Sequence, residues 1–188
     1  TLLGRCRWLH LVVVVHQVRI PLAGVATEEA VETVKAAPQR PATSATDSPV
    51  SIGTMQIHPF SKKHDAADPY SFMICCNGTR VGVFTDIGSP CDKLIHYFSQ
   101  CHAAFLETNY DEDMLENGKY PHYLKQRIRG GWGHLSNRQA LELFVKYRPA
   151  YMSHLFLSHL SQDNNCPTLV EKLFSEKAGT TQIVVAGR

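Results

Sequence analysis

The chain has 188 residues, 44% of them apolar, and a formal charge of +2 with its histidines neutral. That length supports one domain with a real core, while so small a charge excludes arguing for a nucleic-acid or membrane surface from electrostatics alone. The six cysteines (Cys6, Cys75, Cys76, Cys91, Cys101, Cys166) form no C-x-x-C pair and no zinc-knuckle spacing, so they read as reduced thiols of a cytoplasmic protein, mostly small core residues.

The start imitates a secretory leader, with Arg5 and Arg7 ahead of the apolar run Leu11–Val15. His10 and His16 break that run, Arg19 follows it, and it is far too short to span a bilayer. The expectation is an internal segment of a longer protein, cut at residue 1. Trp8–Val18 is a buried helix or a strand, and Ile20–Val25 a short strand. Thr27 caps a helix to about Ala36, with Glu28 and Glu29 in its first turn. Residues 38–50, rich in Pro, Ser and Thr, read as a surface loop. Met55–Phe60 is a strand leading into a hairpin. There Ser71–Cys76 and Thr79–Thr85 flank Asn77-Gly78, a pair suited to the two positive φ angles of a type I′ turn. Ser89-Pro90 opens the next helix, which turns Leu94, Ile95 and Phe98 inward. Ala103–Glu107 is a buried strand. A helix at Asp111–Asn117 stops at Gly118, and another runs from Pro121 to about Ile128. Ser136 and Gln139 form a capping box for a helix to about Tyr147, with Leu141, Phe144 and Val145 as its apolar face. A strand at Ala150–Leu157, a helix at Pro167–Glu176 and a strand at Gln182–Ala186 complete the chain. Strands alternating with helices argue for an α/β fold, α+β by some schemes.

Three strands end in a residue able to bind a metal or move a proton: Asp86 after VGVFT, Glu107 after AAFL and His159 after HLFLS. Strand C-terminal ends are where α/β sheets gather their sites. The hairpin register sets Asp86 level with about Pro69, and the short HDAAD loop then returns His64 toward Asp86. An imidazole and a carboxylate converging there suit a transition metal; a surface histidine and a capping aspartate is the plainer alternative. Of ten histidines, His64, His134 and His159 stand in Gly-, Ser- and Asp-rich turns, where ligands and acid–base groups are commoner than within apolar segments. The run Lys119–His134 is basic and aromatic. Its Lys125, Arg127 and Arg129 suit phosphate oxygens, or simply a solvated helix face.

HDAADP, FTDIG, ETNYDEDMLENGKYPHYLKQRIRGGWGHLSN and LSHLSQDNN together resemble the metallo-β-lactamase-fold hydrolases, most of all the YycJ/WalJ type related to ribonuclease Z. The resemblance runs from about Leu9 to the end and is strongest from His64 to Asn165. It implies one domain over residues 1–188, an αββα sandwich incomplete at its N-terminus, acting as a nuclease-like phosphodiester hydrolase. By this resemblance His64, Asp86 and His159 are metal ligands, with Asp86 bridging two ions. Glu107 orients His134, the proton donor to the leaving group. Lys125, Arg127 and Arg129 are weaker phosphate candidates. The family site takes two Zn²⁺ or Mn²⁺ ions, which activate a water and clamp the phosphodiester. The expected partner is nucleic acid or another phosphodiester, with no membrane.

The sequence departs from that family in containing no H-x-H-x-D-H motif. The expectation is therefore at most one weakly bound ion in this chain. The alternative to an enzyme is a catalytically inactive remnant that binds metal or nucleic acid. The coding DNA ahead of Thr1 discriminates: an in-frame motif supports the enzyme, a stop codon opposes it. A secreted β-lactamase fits less well, because GHLSN and the basic segment suit phosphodiesters.

Overall fold

The computed structural model describes residues 48–186. The expectations for Trp8–Val18, Ile20–Val25, the Thr27 helix and residues 38–47 of the loop lie outside them. One seven-stranded sheet carries its strands in chain order: β1 (Val50–Ile52), β2 (Met55–Ser61), β3 (Tyr70–Cys76), β4 (Thr79–Phe84), β5 (Ala103–Glu107), β6 (His154–Ser158) and β7 (Gln182–Val185). The helices are α1 (Asp92–Phe98), α2 (Glu112–Asn117), α3 (His122–Arg129), α4 (Asn137–Tyr147) and α5 (Pro167–Ser175). Strands β1 to β4 pair antiparallel, β4 to β7 parallel. The change of direction follows from connection length. Two-residue turns join β1 to β2 and β3 to β4 and an eight-residue loop joins β2 to β3, whereas the later strands are separated by helical crossovers.

Asn77 and Gly78 take φ of 49° and 78°, the left-handed pair that the Asn-Gly turn requires. The register Cys76↔Thr79 through Phe72↔Val83 follows from it. Along the parallel strands, alternate residues separate into two rows. Ala104, Leu106, Leu155 and Leu157 are fully buried in one core with Phe84, Leu94, Phe98, Leu143, Phe144, Val170 and Phe174, on the face that α1, α4 and α5 cover. The opposite row, Phe72, Val83, Phe105, Phe156 and Val184, is half-buried. Within it the Phe105 and Phe156 rings stack at 4.5 Å. Each Leu, Val or Phe fully removed from water on the covered face stabilises by about 1.5–3 kcal/mol.

Four sequence expectations change. Val50 belongs to β1 rather than to the 38–50 loop; three residues are too few for a periodic signal. Helix α1 starts at Asp92 with Cys91 as N-cap and no side-chain cap, not at Ser89-Pro90, because Ser89 bridges to Lys63 in an isolated β-bridge instead. Val145 is 51% exposed while Ala140 and Leu143 are buried; the core stripe of α4 runs through 140, 143, 144 and 147, and Val145 falls outside it. Strand β6 begins at His154, not Ala150, since Met152 N–H turns back to the Pro149 carbonyl. The Ser136–Gln139 capping box is formed on both sides.

Candidate metal centre

Because β4, β5 and β6 are adjacent and parallel, with Phe84 level with Leu106 and Leu106 level with Leu157, their C-terminal ends share one edge of the sheet. Asp86 stands two residues past β4, Glu107 ends β5, and His159 follows β6 directly. Thr108 N–H donates to the Ser158 carbonyl at 3.0 Å and Asn109 Nδ2 to the His159 carbonyl at 2.9 Å, which ties two of these ends together. His134 arrives on the loop before α4, held by its N–H on the Ile128 carbonyl and by Asn109 N–H on the Leu135 carbonyl, at 2.9 and 3.0 Å. His64 comes from the loop after β2, where Gly88 N–H donates to the Lys63 carbonyl at 2.7 Å.

One donor atom each from Asp86, Glu107, His134 and His159 lie within 4.8 Å of one another. His64 Nε2 stands 3.8 Å and His159 Nε2 3.5 Å from the same oxygen, Asp86 Oδ1. The tautomers follow from the other ring nitrogens. His64 Nδ1 faces the Gly133 carbonyl at 2.9 Å, while His134 and His159 turn Nδ1 to Glu107 Oε1 at 2.7 and 2.6 Å. Carbonyl and carboxylate oxygens only accept, so each Nδ1 carries a proton, and in the neutral ring each Nε2 keeps its lone pair. Orienting partners of this kind are what metal-binding imidazoles use. Asp86 and His159 hold φ of 54° and 60°; with Asn77 they are the non-glycine residues of positive φ among those described.

Glu107 is fully buried. Its second oxygen accepts from Ile87 N–H at 2.5 Å and, more weakly, from Leu135 N–H at 3.5 Å. Burial by itself pushes its carboxyl up, but the hydrogen bonds and charges of His134 and His159 outweigh that and hold it at about 2. Burial opposes a charge on His159 as well. Its bond to Glu107, with the charges of Glu107 and Asp86, leaves the imidazole above its ordinary range.

The sequence reading missed two neighbours. Lys62 places Nζ 2.5 Å from the Thr85 carbonyl. Burial draws its ammonium below the usual lysine range, although Asp86 and Glu107 oppose this. Nothing distinguishes Lys62 from Lys63 in the sequence; the contact with the Thr85 carbonyl does. Asp65 sets Oδ1 3.6 Å from His64 Nε2, and its other oxygen takes Arg127 Nε at 2.5 Å. The remaining basic candidates stand on either side of Arg127 along α3. Lys125 Nζ donates to the Glu116 carbonyl at 2.5 Å and Arg129 pairs with the Glu116 carboxylate. So the site residues expected from sequence divide into two groups. His64, Asp86, Glu107, His134 and His159 come together, and of the three cations Arg127 reaches them through Asp65.

The sheet with its helix-covered face also occurs in solved structures. The metallo-β-lactamase fold protein YhfI from Bacillus subtilis matches 74% of this chain and 50% of its own with a TM-score of 0.55 at 18% identity. Zn²⁺-bound PqqB from Methylobacterium extorquens matches 77% and 50% with a TM-score of 0.53 at 16% identity. The described part of the chain thus has the metallo-β-lactamase fold. Within that fold it is similar to exodeoxyribonuclease YycJ of Bacillus anthracis, 30% identical over 125 residues, which are 66% of this chain and 47% of that protein. Exodeoxyribonuclease WalJ of Streptococcus pneumoniae serotype 2 is 30% identical over 118 residues, 63% of this chain and 44% of its own. The chain thus spans about half the length of the curated relatives it matches. No family model matches it.

Proposed function

We propose that this chain carries the substrate-side half of a metal-dependent phosphodiester hydrolase acting on nucleic acid, in which His64, Asp86 and His159 hold a divalent ion. The observation that carries this reading is the convergence of two imidazole Nε2 atoms, 3.8 and 3.5 Å away, on one carboxylate oxygen, Asp86 Oδ1. Both rings have their tautomer set from behind. Two nitrogens and a carboxylate suit Zn²⁺ or Mn²⁺. A bound divalent ion lowers the pKa of a water and polarises a phosphoryl oxygen. His134, held by Glu107 through Nδ1, is in its imidazolium form the proton donor to the leaving oxygen. Lys125, Arg127 and Arg129 are the phosphate-side cations, Arg127 the nearest of them through Asp65. The curated relatives named exodeoxyribonucleases support a DNA substrate.

The five described cysteines are free thiols, and no helix among the described residues is long and apolar enough to cross a membrane. The free thiols support a cytoplasmic setting, and a single domain is the simplest organisation. A second reading, metal binding without turnover, is favoured by one observation: the sequence has no H-x-H-x-D-H motif. Elemental analysis after Zn²⁺ or Mn²⁺ loading, with hydrolysis of bis-p-nitrophenyl phosphate, decides between them. Bound metal with turnover, both lost in Asp86→Ala, supports the hydrolase. Stoichiometric metal with no turnover supports the second reading, and no metal overturns both.

A further inference from the structure

Trp132 stays 61% exposed on the loop that delivers His134 two residues later. A lone exposed indole is ordinary on a protein surface. This one differs in that its backbone is fixed by the segments that carry the metal centre. Asp65 N–H donates to the Trp132 carbonyl at 2.9 Å, and the adjacent Gly133 carbonyl takes His64 Nδ1–H at 2.9 Å. Gly88, two residues past Asp86, packs so closely that a β-carbon there would lie 2.4 Å from Trp132 Cα and 2.5 Å from the Gly131 carbonyl oxygen. Two residues of chain place the Trp132 and His134 Cα atoms within about 7 Å of each other. The indole therefore stands on a backbone fixed by the segments that carry the centre. Helix α3, the element just before it, has no fully buried residue and exposes Tyr123 at 75%. Its cations are paired, Lys125 and Arg129 with Glu116 and Arg127 with Asp65, so a phosphate that meets them competes with these partners.

We propose that Trp132 is a stacking contact for an unpaired base of the strand whose phosphodiester enters the centre. The proposal rests on the phosphodiesterase reading above and specifies what the site prefers: a strand with free base faces, read without regard to sequence. Stacking of a base on an aromatic side chain contributes about 5- to 100-fold in affinity. A duplex interior hides those faces, so the preference is for single-stranded nucleic acid.

The test is fluorescence anisotropy in EDTA with a labelled single-stranded oligodeoxynucleotide and an all-abasic strand of the same length. The expected result is an intact strand bound about 5- to 100-fold more weakly by Trp132→Ala and within about threefold of wild type by Trp132→Phe. The abasic strand should bind wild type and Trp132→Ala alike. Equal binding of the intact strand by wild type and Trp132→Ala overturns the proposal. So does an equal loss on both strands, and so does a wild type that binds neither. Because this measurement needs no metal, it separates from the hydrolase reading. A chain that turns over bis-p-nitrophenyl phosphate without a base-dependent Trp132 effect overturns the stacking contact alone. A base-dependent effect in a chain that takes no metal overturns the hydrolase alone.

Discussion

Replacing Glu107 by Gln changes one atom of a carboxylate that nothing else in the fold can imitate. Its two oxygens accept from four N–H groups: the Nδ1 atoms of His134 and His159 on one side, the backbone of Ile87 and Leu135 on the other. An amide supplies one acceptor and one donor. Turned to the backbone, the NH₂ of this fully buried side chain faces the Ile87 and Leu135 N–H groups; turned to the rings, it is accepted only if both imidazoles move their proton to Nε2. In the first orientation two orphaned donors at about 1–3 kcal/mol each give a loss of about 2–6 kcal/mol, a large part of the stability of an ordinary domain. In the second the imidazoles lose their fixed tautomer, and metal affinity falls about 10- to 100-fold. Urea denaturation in EDTA reads the first quantity, and competition with a chromophoric zinc chelator reads the second. A variant that loses under about 1 kcal/mol and binds Zn²⁺ within about twofold of wild type would refute the reasoning. Lost stability with unchanged affinity would leave Glu107 as a structural anion and remove its role behind the ligands.

Cys101 is fully buried, its Sγ on the Tyr97 carbonyl at 3.3 Å, and burial, with the nearby Cys75, pushes its thiol up to about 12 from 9.0. Between those values the unfolded chain has released a proton that the folded chain still holds. Stability should therefore fall as pH rises, by about 1.4 kcal/mol per unit from this group, and urea midpoints from pH 9 to 10 should decline less steeply in Cys101→Ala; parallel slopes would exclude the cause. Asn165→Ala strands the buried Thr108 carbonyl, the Asn137 side-chain amide and the Cys166 N–H, all bonded to Asn165 at 2.7–3.0 Å; a loss of about 2–4 kcal/mol in urea unfolding is expected. Gly88→Ala puts a methyl into the backbone of Gly131 and Trp132, which should cost about 1–3 kcal/mol and weaken binding of the intact single strand in the anisotropy assay. An unaltered unfolding midpoint would show that the loop yields freely. His134→Ala should slow hydrolysis of an alkyl-leaving-group diester far more than of bis-p-nitrophenyl phosphate, whose leaving group needs little protonation; equal effects on both would remove the proton-donor role.

Much of this was legible where local chemistry leaves few choices. Asn77-Gly78 admits one tight hairpin turn, and that turn sets the strand register. Ser136 with Gln139 marks a helix start, and AAFLE is bounded as the strand Ala103–Glu107. The gathering of Asp86, Glu107 and His159 was legible because consecutive strands joined by helical crossovers run parallel and end on one edge. What escaped depends on neighbours distant in the chain. Ala150, Tyr151 and Met152 carry the apolar character of a strand, yet a turn closed at Pro149 occupies them. Lys62 gains its meaning from the Thr85 carbonyl, 23 residues away. That one carboxylate would serve both His134 and His159, 27 and 52 residues from Glu107, is a property of the sheet edge.

The left-handed backbone at Asp86 and His159, φ 54° and 60°, has a practical consequence for anyone engineering this chain. A β-carbon in that conformation costs about 1–2 kcal/mol that glycine avoids, and asparagine bears it more easily than most. A thermostability screen without an activity readout would therefore enrich glycine or asparagine at Asp86 early, while the bond of His159 to the buried Glu107 retains the histidine. The most stable clones would be the ones that had discarded the metal centre.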